Sequence, residues 1–190
     1  MNLWLRNIGL LLSTAVLVGC TSTSVVMTDS KKTSQKIALA KSNTAVLSFS
    51  GAPDSPETAR ISREVALGIL VEKYEVNLIS PSKVNNYEKE HSFIPSEYDT
   101  DALDSLAIKL GANLVVWGSV NQYTPYKFDR AMPATPPYAE ITMWVFNDAS
   151  KSIVKVNGRK QGKIPATIWS RQPTFEDIAK PLLSELFAKL

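Results

Sequence analysis

Hydrophobic positions divide this chain into a leading apolar run, a polar stretch, and a region where periods of two and of 3.6 residues alternate. Ile8 to Val18 is apolar apart from Gly9, Ser13 and Thr14, and Arg6 stands ahead of it. Residues 21 to 43 are rich in Ser, Thr and Lys, with no aromatic residue and no sustained period. That pattern predicts a tether. As a coil its 23 residues would span about 25–30 Å, from a step of roughly 5–6 Å times the square root of length.

From Thr44 onward the pattern predicts folded structure. Thr44 to Phe49 reads as a first strand ending in the turn Gly51-Ala52-Pro53-Asp54-Ser55-Pro56. Ser55 is placed to cap a helix with Pro56 at its first position, and Ile61, Val65, Gly68, Ile69 and Glu72 follow at helical spacing toward Lys73. Val76 to Ile79 reads as a second strand, and Ser80 to Asp99 as charged loop or short helix. Asp99 or Thr100 begins another helix, with Leu103, Leu106, Ala107 and Leu110 inward and Gly111 as its stop. Asn113 to Tyr123 and Tyr138 to Phe146 are long strands joined by a proline-rich loop. After the turn at 147 to 150, Ile153 to Val156 returns as a fifth strand and Thr167 to Trp169 as a short edge strand. Thr174 and Asp177 form a capping-box pattern for a last helix, which Pro181 should kink or delay. The expected fold is α/β: a mixed sheet of four to five strands flanked by helices, in one domain over 44 to 190.

The apolar run of Ile8 to Val18 falls well short of the roughly 20 residues a membrane-crossing helix requires, so it reads as a cleaved export signal over residues 1 to 19. Leu17-Val18-Gly19-Cys20 resembles the lipobox of bacterial lipoproteins. That resemblance implies cleavage between Gly19 and Cys20, a diacylglycerol on the Cys20 thiol, and an acyl chain such as palmitate on the freed amine. Cys20 is the single cysteine, so an internal disulfide is excluded. Thr21, rather than aspartate, follows it, which in Gram-negative lipoproteins implies sorting to the outer membrane with the domain facing the periplasm.

Charge adds a local feature. The net charge is only +3, but residues 151 to 171 hold six basic residues (Lys151, Lys155, Arg159, Lys160, Lys163, Arg171) and no acidic one. They suit anionic lipid, an acidic glycan or an acidic partner, or equally a solvated edge hairpin guarded by lysine. Alternation puts Trp117 and Tyr123 on one strand face with Val115, Ser119 and Asn121, and Tyr138 and Trp144 on a face with Glu140, Thr142 and Phe146. Those aromatic residues fit a partner or membrane interface, or a core beneath helices.

Catalytic chemistry finds little support. His91 is the one histidine and lies in a polar stretch, while Asp99, Asp101 and Asp104 sit where a helix start favours acid. The sequence has no phosphate loop, nucleophile elbow or paired-histidine motif. No enzyme activity, cofactor, metal, nucleic acid or small-molecule substrate is expected.

Ala45-Val46-Leu47-Ser48-Phe49, then Leu106-Ala107, Gly111 to Val120, Ile141 to Phe146 and Asn147 to Val154 follow one another in a recognisable order. Over residues 44 to 160 the chain resembles a superfamily that includes the periplasmic domain of the curli-export protein CsgG, the Pel polysaccharide-export lipoprotein PelC, the penicillin-binding-protein activator LpoB, and the amino-terminal domain of TolB. The resemblance implies a non-catalytic envelope lipoprotein that associates with other envelope proteins and with copies of itself. The leading expectation is a subunit of an export or assembly complex. An LpoB-like activator of a peptidoglycan synthase and a flagellar or surface-organelle lipoprotein are the alternatives. A barrel of its own is not expected, because a transmembrane strand takes about 9–11 residues. The loop Thr124 to Pro137 has 14 residues and four prolines, and Ser80 to Asp99 is charged without alternation.

Cys20→Ser should leave a folded domain that no longer sediments with membranes; continued membrane association after carbonate washing would contradict a lipid anchor at this residue.

Overall fold

The computed structural model describes residues 23–29, 37–91, 99–129, 132–165 and 170–190, with only the backbone described at 23–29 and at 129 and 132. Cys20, Gly19 and Thr167 to Trp169 lie outside these residues. The chain order is β1 (Thr23–Asp29), β2 (Asn43–Val46), α1 (Glu57–Tyr74), β3 (Asn77–Leu78), α2 (Pro81–His91), α3 (Thr100–Leu110), β4 (Leu114–Thr124), β5 (Lys127–Asp129), β6 (Met132–Thr135), β7 (Tyr138–Asn147), β8 (Ser152–Gln161) and α4 (Phe175–Phe187). One six-stranded sheet runs β1-β8-β7-β4-β2-β3, and β5 and β6 form a separate pair. The sheet is mixed: β2 is parallel to β3 and β4, whereas β4, β7, β8 and β1 pair antiparallel in turn.

Helix ends follow their local chemistry. Asp99 caps α3 by accepting from Ala102 N at 3.1 Å, and Gly111 ends it at φ 72°. Asp177 Oδ2 accepts from Thr174 N at 2.7 Å in the capping box of α4. Pro181 neither delays that helix nor ends it, since α4 begins at Phe175 and continues to Phe187. The missing proline N–H removes only the bond to the carbonyl of Asp177, at a cost that the inner face of the helix offsets. At α1 the expected Ser55 side-chain cap is absent; Ser55 instead accepts through its carbonyl from Thr58 N (3.1 Å) and Thr58 Oγ1 (2.6 Å).

Both sheet faces are covered where β2, β4 and β7 meet. On one face α1 and α4 pack over Val46, Val116, Val120, Ile141, Met143, Val145 and Val156, with Ile178, Leu182, Leu183 and Leu186 fully inside. Each such side chain contributes about 1.5–3 kcal/mol by leaving water. On the other face α3 and Val84 of α2 cover Ala45, Leu47, Val115, Trp117, Trp144, Phe146 and Ile153.

Two segments depart from the sequence expectation. Thr23–Asp29 is an edge strand, with Thr23 opposite Lys160 and Asp29 opposite Val154, so this part of the predicted tether is annealed to β8. The proline-rich connection of 124 to 137 contains β5 and β6, with Pro133 in β6. Proline is tolerated in such a short outlying strand because only one side of it is hydrogen-bonded.

Gly118 marks the closest packing in the sheet. A Cβ there would lie 2.3 Å from Phe49 Cε1 and 2.8 Å from the carbonyl oxygen of Thr142. Gly118→Ala should therefore destabilise the domain by about 1–3 kcal/mol in urea unfolding, as overpacking does. Phe49→Leu should return part of that loss, and a Gly118→Ala chain as stable as the parent would show that the approach is not tight.

Candidate functional site

The face of the sheet covered by α3 changes character along its strands. At the end where β4 starts, Trp117 and Trp144 stack with ring centroids 6.0 Å apart. Both are buried, at 3% and 8% exposure, so these two residues belong to the core beneath α3. Lys155 Nζ stands 5.2 Å from the Trp144 ring centroid, in cation–π range. Toward the other end the same face carries Ser119, Asn121, Tyr138, Glu140, Thr142, Asn157 and Arg159. Asn121 Nδ2 donates to Thr142 Oγ1 at 2.8 Å and to Glu140 Oε1 at 3.4 Å, and the Tyr138 hydroxyl donates to Glu140 Oε2 at 3.2 Å. Burial raises the Tyr138 phenol, and the charge of Glu140 adds to the shift while Arg159 opposes it. Two buried polar atoms here, Trp144 Nε1 and Asn157 Oδ1, have no hydrogen-bond partner.

Tyr123 does not share this face. The register slips between Val120 and Gln122, one residue is taken up as a bulge, and Tyr123 pairs with Ala139 on the α4 side. There its ring meets Phe175 edge-on at 5.0 Å, and burial first, then the charges of Glu57 and Asp177, raises its phenol. Simple alternation from Val115 carries no signal of this bulge.

Of the six basic residues of 151 to 171, the four in and before β8, Lys151, Lys155, Arg159 and Lys160, also separate. Lys151, at φ 48° in the β7–β8 turn, pairs with Asp148 at 2.7 Å and with Asp104 of α3. Lys155 and Arg159 point to the α3 face, whereas Lys160 points to the α4 side and meets Glu185 at 3.2 Å. They do not make one basic face. Asp104 thus answers Lys151 rather than capping α3, and its carboxyl is held below the usual range by that bond. His91 is exposed, stacked at 4.1 Å on Tyr87 and 3.1 Å from Lys109 Nζ. Among the described residues no group of His, Cys, Asp and Glu side chains is placed to hold a metal ion, and no helix is long and apolar enough to cross a membrane.

No family model matches the chain, and no curated protein matches it. Solved structures do. The PelC dodecamer from Paraburkholderia phytofirmans superposes with a TM-score of 0.56 at 17% identity, covering 88% of this chain and 96% of that one. The fold is that of PelC. A single-substitution variant of the same PelC gives 0.57 at 18% identity with the same coverage. The C-terminal domain of LpoB from Escherichia coli gives a TM-score of 0.46 at 14% identity, covering 68% of this chain and 87% of that one. The PelC likeness bears out the α/β expectation and, as a likeness of fold, the resemblance read from residues 44 to 160.

Glu140→Gln should lower the Tyr138 pKa part of the way to its ordinary value, because the neighbouring charge goes while burial stays. Ultraviolet titration of the variant against its parent checks this; an unmoved Tyr138 would show that burial alone sets its value.

Proposed function

We propose that this protein is a non-catalytic lipoprotein, anchored through Cys20 to the outer membrane and facing the periplasm, that serves as a subunit of an envelope export or assembly complex. It works by contact with other envelope proteins and with copies of itself, and it contributes no barrel. The observation that carries this reading is the PelC fold, shared across 96% of a chain that is itself a dodecamer. Among the described residues, His91 is exposed and Trp117 and Trp144 are core.

Native mass spectrometry of the detergent-extracted lipoprotein tests the reading. A closed ring of many copies is expected, each with the mass of its acyl chains on Cys20. A strict monomer at micromolar concentration would contradict self-association, and a chain without added lipid mass would contradict the anchor.

A further inference from the structure

The strand β1 fixes which end of the domain meets the membrane. Thr23 lies three residues after Cys20 and is in register with Lys160, next to the last residue of β8. At about 3.3–3.6 Å per residue, three residues reach at most roughly 10 Å. Cys20 is therefore within reach of one end of the sheet, the end where Thr124, Tyr138 and Gln161 lie side by side. The opposite end, with Leu114, Asn147 and Ser152, is a full strand length away.

Exposed apolar side chains are distributed along the same axis. The large hydrophobic residues most exposed among those described are Val71, Ile108, Phe128 and Ile164. Phe128, 51% exposed, is in β5 directly beyond the end of β4, and Ile164, 50% exposed, follows β8 by three residues. Gly162 N donates to Pro137 O at 2.7 Å, which ties the segment carrying Ile164 to the strand end that follows β6. Lys127 and Lys163, each beside one of these apolar residues in sequence, are exposed too. Val71 and Ile108 lie in the last turns of α1 and α3, whose chains re-enter the sheet at its other end.

We propose that the sheet end bearing Phe128 and Ile164 rests on the bilayer, with these two side chains in the interface and Lys127 and Lys163 at anionic phosphate head groups. An apolar residue flanked by lysine suits that boundary, where the chain stem stays dry and the ammonium stays wet. The inference rests on the reading of Cys20 as lipidated and adds a defined contact surface and orientation to it. The acyl chains supply most of the affinity, and the surface contact removes the freedom to tumble that a long tether would leave.

A test uses the lipoprotein reconstituted in phosphatidylethanolamine–phosphatidylglycerol vesicles. Because lipidated Cys20 has no free thiol, a nitroxide can be attached at one introduced cysteine in each of Phe128→Cys, Ile164→Cys, Val71→Cys and Ile108→Cys. Oxygen, which concentrates in lipid, should relax the labels at 128 and 164 more than a water-soluble nickel chelate does, with the reverse order at 71 and 108. Four labels equally open to the nickel chelate would overturn the proposal. So would labels at 128 and 164 closed to both reagents, which would mean that a protein surface covers them. Loss of vesicle binding together with the absence of lipid mass on Cys20 would instead overturn the anchor itself, and the orientation with it.

Discussion

The ladder between β4 and β7 is the constraint on which the remaining structure depends, because it decides which side chains reach which helical layer. Its register sets Trp117 against Trp144 under α3, and Val116 against Val145 and Val120 against Ile141 under α1 and α4. Slipping β4 by one residue against β7 would turn its two sets of side chains over and place Trp117 on the α4 side, away from Trp144. Close approach at Gly118 and the bulge after Val120 pin the register from within. Everything outside the ladder, including the β1 edge and the β5–β6 pair, is attached to strands whose position it fixes.

Most of the architecture was legible because the chain uses strong local signals. The apolar period of Leu103, Leu106, Ala107 and Leu110, bounded by Asp99 and Gly111, leaves α3 no other reading, and the capping box at Thr174 does the same for α4. What was not legible depended on partners distant in sequence. Thr23, Val25, Val26 and Thr28 are β-branched, and their run is a strand signal, but it lies between polar stretches and gains a partner only when β8 is in place. Strict alternation places Tyr123 with Trp117, and the structure turns it to the other face because a bulge adds one residue without changing composition. The basic cluster dissolved for a related reason: alternation along β8 sends Lys155 and Lys160 to opposite faces, and Lys151 is occupied by carboxylates from α3 and from its own turn.

An interface built from Trp117 and Trp144 is not available on the surface, since both are buried beneath α3. β1 forms one edge of the sheet and β3 the other. β1 joins the segment from Thr23 to Asp29 to β8, so this part of the chain belongs to the folded domain rather than to a loose linker.

Amide hydrogen exchange on the intact protein tests the attachment of β1 to the domain most directly. Alternate amides of Thr23–Asp29, bonded to β8, should exchange far more slowly than those of an unstructured peptide. Val156→Pro, which removes an N–H from the neighbouring ladder, should release part of that protection. Exchange across 23 to 29 at the rate of a free chain would restore a loose tether and remove the basis for a fixed orientation at the membrane.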